Sequence, residues 1–389
     1  MRFVLVKGES QYGSLRLHID QLGQALSALG AKAEIVDLVA ADSGSSLEQA
    51  LSQPTDCLFG FSGVGSDLAI SGRFFERAPF VYASLYVDHP VHHLQRLSAN
   101  IARHVALFLD HSHVRFVEQW APPGAFAHIG FLPPGANTLD APAAAADEAF
   151  ERRDIPVLFT GTYRGAPIEA WRDWPESPAK TLSAGISRRM AADGRLALLD
   201  AFGATLSQLG AALTPELLRN AAPLFSAIQL HAEAFHRHRV LTALGEADAP
   251  LTVYGNGWEP ICARHPSFQF GGVGSFEETL HLLRRARVVL NINNGFVAGG
   301  HERVFTAMHA GAAVFSEQSA YYAEVFRDGV DLVTYDVNQP GHIAAALAAL
   351  TGDITAQAAI ARAGQARAVA EHSWTNRAAE LIKVIQAAR

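Results

Sequence analysis

Short apolar runs alternate with longer amphipathic segments from the start of the chain, and this rhythm limits the folds open to it. The run FVLV at residues 3–6 precedes a helical pattern at 13–29, with leucine or isoleucine at 15, 17, 19, 22, 26 and 29. A second apolar run follows at 33–38. Because strands covered on both faces are apolar throughout, this alternation predicts parallel sheets with helices on both sides.

The same rhythm continues along most of the chain. Two regions depart from it: residues 133–153 carry Pro, Gly, Ala and acidic residues without a strand pattern, and residues 185–245 are rich in Ala and Leu and read as helices. A terminal amphipathic helix is predicted at 373–389. Strands are predicted at residues 3–6, 33–38, 57–61, 80–86, 105–110, 127–131, 156–160, 251–254, 267–270, 288–292, 313–316 and 332–335.

A chain of 389 residues is most simply divided into two domains. We place the linker at 133–153. The expected fold is α/β, with two Rossmann-like, doubly wound domains facing a cleft. Residues 1–150 form the first domain and 151–372 the second, which carries the helical elaboration. Residues 373–389 form a C-terminal helix that packs back on the first domain.

Composition excludes several classes of protein. Charged residues make up 18% of the chain, and 38 acids against 31 bases give a net charge of −7, which argues against nucleic-acid or anionic-membrane partners. No apolar run reaches the roughly 18 residues of a membrane span. Cys57 and Cys262 make neither a disulfide framework nor a zinc site. We expect a cytoplasmic protein whose thinly charged surface favours homo-oligomers.

Ligands of open α/β sheets bind at the loops that follow the carboxyl ends of the strands. In the second domain these loops are rich in glycine, polar and aromatic residues. The candidate ligand-binding residues there are Gly161, Thr162, Tyr163, Gly255, Asn256, Trp258, Gly272, Val273, Asn293, Gly299, Gly300, His301, Glu302 and Arg303.

The richest segment is NINNGFVAGGHERVFTAMHAGAAVFSE, residues 291–317. Gly299 and Gly300 allow close approach of the backbone, and a helix beginning near Glu302 directs free N–H groups at an anion. A diphosphate fits there, with a charge-assisted hydrogen bond from Arg303 and a contact from His301 to a phosphate or sugar. The alternative is structural: the glycines turn the chain, Arg303 is solvated and His301 caps the helix.

The turn GGVGS at residues 271–275 joins a predicted strand to a predicted helix. Its backbone could identify the edge of a nucleobase. It does not match the G-x-G-x-x-G fingerprint of dinucleotide-binding domains, and the chain contains no GxxxxGK[ST] loop. Hydride transfer and simple nucleotide-triphosphatase activity are therefore poorly supported.

In the first domain, the segment YVDHPVHH at 86–93 follows a predicted strand. Asp88 and His89 are suited to acid–base work on a hydroxyl group. A metal site built from Asp88, His89, His92 and His93 is a second reading, although Pro90 disturbs their helical spacing. The third reading is a strand end followed by a proline-initiated helix.

Several segments together resemble the group 1 glycosyltransferases of GT-B architecture, specifically the CgeB-like (spore maturation protein-like) branch. The resemblance is good over most of the second domain and looser in the first, where it rests on YVDHP. The segments of the second domain are VLFTGTY (157–163), VYGNGW (253–258), FGGVGSFEE (270–278), VVLNINN (288–294) and HERVFTAMHAGAAVFSEQSAYYAEVFRDGVDLVTYD (301–336).

The resemblance implies a nucleotide-diphosphate sugar, such as a UDP-sugar, as donor substrate in the second domain, an acceptor entering from the first, and neither bound metal nor other cofactor. If the reaction inverts configuration, Asp88 is the first choice as base and His89 the second.

The R-x-F-E-like pattern of the branch is matched by Arg303 and Phe305, with Thr306 in place of the glutamate. Thr306 is thus a further candidate donor-binding residue. Ala298 stands where related retaining enzymes carry an earlier glutamate. Either Glu302 compensates for these departures, or the donor and stereochemistry differ.

The predicted function is metal-independent transfer of a sugar from a nucleotide-diphosphate sugar to a glycan, protein or small-molecule acceptor. Two alternatives stay open. A nucleotide-sugar epimerase has the same fold and needs no acceptor. A catalytically silent nucleotide- or sugar-binding partner protein is suggested by the missing glutamates.

Overall fold

A computed structural model of the chain describes residues 1–71, 75, 78–139, 150–293 and 295–389. These residues form two compact units. The first unit is Met1–Asn137 together with Glu371–Arg389, and the second is Thr138–Ala370. Residues 140–149, which make up about half of the linker predicted at 133–153, lie outside the described residues.

Twelve strands occur in the described part of the chain, and each lies within two residues of a strand predicted from the sequence. The predicted strand positions are therefore confirmed. The strands are β1 (Arg2–Lys7), β2 (Lys32–Asp37), β3 (Cys57–Phe61), β4 (Val81–Tyr86), β5 (His104–Phe108), β6 (His128–Phe131), β7 (Ile155–Thr160), β8 (Leu251–Tyr254), β9 (Phe268–Phe270), β10 (Ala286–Asn291), β11 (Ala313–Glu317) and β12 (Val333–Tyr335).

The strands form one parallel six-stranded sheet in each unit. The order is β2-β1-β3-β4-β5-β6 in the first unit and β12-β11-β10-β7-β8-β9 in the second. The inner strands β3, β4 and β5 are buried at every residue, whereas the edge strands β2, β6 and β9 carry exposed residues. Helices therefore cover both faces of the inner strands, and the predicted α/β fold class is confirmed.

Fourteen α-helices accompany these strands within the described residues. They are α1 (Ser14–Ala28), α2 (Ser43–Leu51), α3 (Leu94–Leu97), α4 (His111–Trp120), α5 (Pro178–Ala192), α6 (Leu198–Gln208), α7 (Pro215–Glu246), α8 (Glu259–Arg264), α9 (Phe276–Arg285), α10 (Glu302–His309), α11 (Ala320–Val325), α12 (Pro340–Thr351), α13 (Ile354–Glu371) and α14 (Trp374–Ala388).

The helical region predicted at 185–245 is confirmed as α6, α7 and most of α5. Helix α5 packs against both α6 and α7. Thr214 caps α7 by accepting a hydrogen bond from Leu217 N, and Pro215 occupies the first turn, where its missing N–H costs nothing. The 32-residue helix α7 therefore starts at a defined point, and it continues as one helix through Pro223.

The end of the chain completes the core of the first unit. Helix α14 packs against α1. The Trp374 indole N–H donates to Asn137 Oδ1 at 2.9 Å, and the ring lies 5.4 Å from that of His18 and 5.8 Å from that of Phe61. A Cβ on Gly135 would come within 2.6 Å of Trp374 Cδ2, so only glycine leaves room for this ring.

No single helix of the described residues is long and apolar enough to cross a membrane, although α12 and α13 meet the length and composition requirement as a pair bent by 95°. The two cysteines are free: Cys57 is buried in β3, and Cys262 is partly buried in α8.

One buried group makes the first unit sensitive to acid. His104 in β5 is fully buried between the rings of Tyr82 and Phe126, and neither ring nitrogen has a hydrogen-bond partner in the described structure. Burial lowers the pKa of His104 from 6.5 to about 3. As the pH falls below 6.5, the unfolded chain takes up this proton first, so folding stability is lost between pH 6.5 and about 3.

We therefore expect His104→Phe to flatten the acid side of the stability profile. The slope of the unfolding free energy against pH should decrease by up to about 1.4 kcal/mol per pH unit below pH 6.5, the contribution of one proton. Urea titrations between pH 7 and pH 4.5 measure it, with the exposed His281→Gln as the matched control. Equal slopes in wild type and His104→Phe would contradict this assignment.

Candidate functional site

The sheet of the second unit has a topological switch point between β7 and β10. From β7 the chain proceeds through β8 to β9 on one side, and from β10 through β11 to β12 on the other. The connections at the carboxyl ends of β7 and β10 therefore leave toward opposite faces of the sheet. A crevice at such a point is the usual ligand site of an open α/β sheet.

Arg303, in the first turn of α10, lies at this switch point. Its Nη1 donates to Asn291 Oδ1 at the end of β10, at 2.9 Å. Its guanidinium carbon lies 4.9 Å from the ring centroid of Phe159 in β7. The side chain is only 7% exposed, which rules out the solvated arginine of the structural alternative. Gly161 makes room for it, since a Cβ there would lie 3.2 Å from Arg303 Nη2.

A second arginine, which the sequence analysis did not single out, faces the same aromatic ring. Arg237 comes from α7; its guanidinium carbon lies 5.7 Å from the Phe159 centroid, and its Nη1 donates to the carbonyl of Thr162. Burial lowers the pKa of Arg237 to about 10, and the charge of Arg303 acts in the same direction. Both guanidiniums nevertheless stay charged at neutral pH.

These two cations, which we call the arginine pair, are incompletely satisfied. Within the described residues, their guanidinium hydrogen bonds go to neutral acceptors, the Thr162 carbonyl and the Asn291 amide oxygen. The Nε of each is buried without a hydrogen-bond partner among the residues described. Buried cations are normally paired with an anion. The arginine pair therefore suits a ligand that brings negative charge, and two guanidiniums match a diphosphate.

Loops from β7 and β8 lock together beside the arginine pair. Gly161 N donates to Tyr254 O, and Gly161 O accepts from the indole N–H of Trp258 at 2.7 Å. Tyr163 N donates to Asn256 O at 2.9 Å. The structure thus brings the candidates of residues 161–163 and 255–258 together, and within this group the indole of Trp258 is buried beneath the loops.

Two further candidates extend this group toward α9. Gly255 N donates to Gly272 O at 2.9 Å, which ties the turn after β9 to the turn after β8. Val273 is 55% exposed at the tip of that turn. A Cβ on Gly271 would come within 2.2 Å of Tyr254 Cζ, so this glycine lets the tyrosine ring pack against the turn.

The beginning of α10 holds the next group of candidates. His301 is the N-cap residue, and its Nδ1 lies within hydrogen-bonding distance of both Arg303 N and the Glu302 carboxylate. Nδ1 accepts from Arg303 N when it is unprotonated and donates to the carboxylate when it is protonated, so it makes one of these bonds at a time. Burial lowers the pKa of His301, opposed by the charge of Glu302. His301 N donates to the hydroxyl of Tyr322 at 2.9 Å.

Gly299 and Gly300 fit tightly around α11. Gly299 O accepts from Ser319 Oγ at 2.6 Å, and a Cβ on Gly300 would lie 2.9 Å from both the Phe305 and Tyr322 rings. Thr306 is 1% exposed within α10. The sequence prediction that these residues contact a ligand stays a prediction; their visible role is to position α10.

A buried polar network joins β10 to β11 and includes a second residue that sequence reasoning missed. Asn293 N donates to Glu317 Oε2 at 3.0 Å, and Asn291 Nδ2 donates to Asn293 Oδ1 and Ser316 Oγ. Burial raises the pKa of Glu317 to about 7. The only signal in the sequence was a single acidic residue at the end of an apolar strand. Ligands of such sheets bind beside these strand ends.

In the first unit, the two predicted catalytic residues differ in exposure. The Asp88 side chain is 63% exposed, and its Oδ2 lies 3.5 Å from His93 Nε2. His89 is buried, with its Nδ1 accepting from Val91 N and its ring 4.4 Å from that of His113. Burial lowers the pKa of His89 well below its ordinary value. Of the two side chains, only that of Asp88 presents its acid–base group to solvent.

Among the residues that the structure describes, no three His, Cys, Asp or Glu side chains are grouped so that they could hold a metal ion. The reading of Asp88, His89, His92 and His93 as a metal site therefore has no support in the geometry. His89 instead forms the N-cap of a 3₁₀ turn that starts at Pro90.

Two parallel six-stranded sheets, each covered by helices and each with its own switch point, define the GT-B class of fold. Solved structures share this fold over nearly the whole chain. Sucrose-phosphate synthase from Thermosynechococcus elongatus aligns with a TM-score of 0.57 at 10% identity, covering 99% of this chain and 98% of that one. Anabaena Alr3699/HepE in complex with UDP-glucose aligns with a TM-score of 0.54 at 12% identity, covering 99% of both chains. These similarities confirm the predicted GT-B fold.

At the level of sequence, residues 236–383 match the family model described as glycosyl transferase-like. The matched region contains Arg237, the whole of α10 and Glu317. No curated protein matches the chain.

Because the loops after β7 and β8 are in close contact, we expect one added methyl group at Gly255 to destabilise the protein. Gly255 has φ +124°, and a Cβ there would lie 2.4 Å from Gly161 O. We expect Gly255→Ala to lower the unfolding free energy by about 1–3 kcal/mol, the cost of local backbone strain. Gly210→Ala is the matched control, because Gly210 has φ +77° with nothing within 4 Å of its Cβ position. If the two variants lose equal stability in urea titrations, the contact with Gly161 is unimportant.

Proposed function

We propose that the protein is a glycosyltransferase that uses a nucleotide-diphosphate sugar as donor. The observation that carries this proposal is the arginine pair at the switch point of the second sheet, whose two buried Nε–H groups have no hydrogen-bond partner in the part of the chain that the structure describes. Glycosyl transfer leaves a nucleoside diphosphate behind, and charge that develops on this leaving group needs preorganised donors. Arg237 and Arg303 supply them, so we propose transfer without a metal ion.

The comparisons support the same donor. Anabaena Alr3699/HepE, whose fold this chain shares, has been solved in complex with UDP, with UDP and glucose, and with UDP-glucose. The glycosyl transferase-like match covers both arginines. We accordingly take UDP-sugars as the first donors to test, and the assignment to the CgeB-like branch stays part of this proposal.

The turn at residues 271–274 is the proposed nucleobase site. Val273 is exposed, and Gly272 N–H and the carbonyl groups of the turn are backbone groups that can read a base edge. Tyr254 packs against Gly271 and supports the turn from one side. The proposed ligand thus extends from this turn to the arginine pair, along residues 161–163.

For the acceptor we propose Asp88 as general base. It follows β4 at the carboxyl end of a buried strand, and its carboxylate is exposed while the neighbouring His89 is buried. A carboxylate in that position can take the proton of an acceptor hydroxyl during transfer.

The arginine pair predicts a specific loss of donor affinity. Arg303→Ala and Arg237→Ala should each weaken binding by about 10- to 100-fold, corresponding to roughly 1.5–3 kcal/mol for a hydrogen bond to a charged group. A thermal-shift screen against UDP-, GDP-, TDP-, CDP- and ADP-sugars identifies the donor, and calorimetry then measures each affinity. Arg219→Ala, an exposed arginine on the same helix, is the control. Unchanged affinity in both pair variants would contradict the diphosphate site.

Asp88→Asn should separate binding from transfer. The amide cannot accept the proton of an acceptor hydroxyl, so transfer should fall by about 100-fold or more while donor affinity is unchanged. Asp88→Glu keeps a carboxylate and should retain part of the activity. Product formation with the donor found in the screen measures both variants. Full transfer by Asp88→Asn would exclude Asp88, and donor binding without transfer by wild type would favour a binding protein.

A further inference from the structure

Helix α7 carries a carboxylate one turn away from Arg237. The helix ends at Glu246 and leads into β8, so its later residues approach the amino edge of the sheet and its earlier residues the carboxyl edge. Glu233 precedes Arg237 by four residues, which places both on one face of α7, with Glu233 about 6 Å nearer to the carboxyl edge. Its side chain is partly buried. Glu233 therefore lies at the level of the loops where ligands of such a sheet bind.

The loop that follows β10 lies against this face of α7. A Cβ on Gly295 would collide with Gln229 Nε2 and lie 3.4 Å from Glu233 Oε1, so the backbone of the loop comes directly up to both side chains. The next residue, Phe296, is buried, and its ring centroid lies 6.0 Å from that of His301, the N-cap of α10. Glu233 thus faces the connection that runs from β10 to the start of α10.

A buried glutamine holds the Glu233 carboxylate. Gln229, one turn earlier on the same face of α7, is 1% exposed, and its Nε2 donates to Glu233 Oε1 at 3.1 Å. The Oε1 of Gln229 has no hydrogen-bond partner among the described residues, and leaving a buried oxygen unsatisfied is costly. The buried amide therefore serves to orient this carboxylate.

The strand order β9-β8-β7-β10 gives the direction of the proposed ligand across the second sheet. Its nucleobase site follows β9, and its diphosphate lies at the arginine pair, at the switch point between β7 and β10. The group attached to the far end of the diphosphate then extends toward the loop after β10, which is the loop that Glu233 faces. In a nucleotide-diphosphate sugar, that group is the sugar.

We propose that Glu233 binds hydroxyl groups of the donor sugar and selects a neutral, hydroxyl-bearing sugar over an acidic one. The proposal rests on the proposed function, because its ligand is the nucleotide-diphosphate sugar. An ionised carboxylate only accepts hydrogen bonds, and the hydroxyls of a sugar donate them. The same carboxylate repels a second one at close range, so a hexuronic acid in this place is disfavoured.

The test is isothermal titration calorimetry with UDP and with UDP-glucose, or with the nucleotide and the nucleotide sugar that the screen identifies. UDP occupies the nucleobase turn and the arginine pair without a sugar, so it reports on the fold and on the diphosphate site. Glu233→Ala should lower the ratio of UDP-glucose affinity to UDP affinity by about 10-fold, the loss of a hydrogen bond to a charged group. Glu246→Ala, which removes an exposed carboxylate from the same helix, should leave this ratio unchanged.

A second comparison isolates the charge of Glu233. Wild type should bind UDP-glucuronate about 10-fold or more weakly than UDP-glucose, because two carboxylates would lie close together. Glu233→Gln keeps the size of the side chain and removes its charge, so this variant should narrow the difference between the two ligands and bind UDP as wild type does. Glu246→Gln is the matched control and should discriminate as wild type does.

The outcomes separate the inference from the function beneath it. Equal losses of UDP and UDP-glucose affinity in Glu233→Ala would assign Glu233 to the support of Arg237 or of the fold, and would overturn its role in sugar binding. An unchanged ratio in that variant, or a preference of wild type for UDP-glucuronate, would overturn it as well. All three results leave the glycosyltransferase proposal intact. If wild type binds neither UDP nor any nucleotide sugar of the screen, the proposed function fails, and the inference fails with it.

Discussion

Two guanidinium groups lie beside one phenylalanine ring, and the loops at the switch point hold these two like charges close together. Arg303 and Arg237 carry like charges, and burial removes water that would screen the repulsion between them. The aromatic ring of Phe159 attracts both cations, while the Thr162 carbonyl and Asn291 amide oxygen hold them in place. Gly161 suits this place because its φ of +143° favours glycine and because a Cβ there would lie 3.2 Å from Arg303 Nη2. The pair is thus held by neutral groups, and no carboxylate of the described residues is hydrogen-bonded to it.

The groups that fix this arrangement come from distant parts of the chain. Phe159 belongs to β7, Arg237 to α7 and Arg303 to α10, and they meet because the sheet order reverses between β7 and β10. The switch point therefore does more than open a crevice. It brings the strand that carries the aromatic ring next to the strand that leads into α10, so that one cation reaches the ring from each helix.

The sequence was sufficient for the fold, and it singled out part of the candidate site. Strands such as β3 and β4 are apolar on both faces, which leaves a strong signal, and all twelve strands lie within two residues of the predicted positions. Arg303 was found because glycines and a helix start mark its loop. Arg237 was not, because it lies within the 32 residues of a helix whose other arginines and histidines look alike in sequence. Only the three-dimensional position of α7 shows which of them faces Phe159.

Glu317 was missed for a different reason: a single acidic residue at a strand end has no spacing partner that would mark it. Trp258 shows the converse, since its place in a glycine-rich loop suggested ligand contact, and the structure puts its indole beneath the loops, bonded to Gly161 O. A loop at the end of a strand can therefore be identified from the sequence as part of a candidate site. The structure is needed to show which side chains of the loop are accessible to a ligand and which are buried and support the loop.

Arg377 provides a contrast to the arginine pair. Arg377 in α14 is as buried as Arg303, at 4% against 7% exposure. Its Nη1 bonds to the Glu380 carboxylate, its Nε to Pro134 O and its Nη2 to Glu371 O, so all three nitrogens are satisfied. Desolvating a guanidinium is costly unless such partners offset it. Buried Nε groups without a hydrogen-bond partner also occur at Arg239 and Arg287 among the described residues, so the arginine pair is distinguished by two guanidiniums that face one ring at the switch point of the second sheet. Under the proposed function, a bound diphosphate offsets this cost, so that stability and donor affinity measure the same interaction.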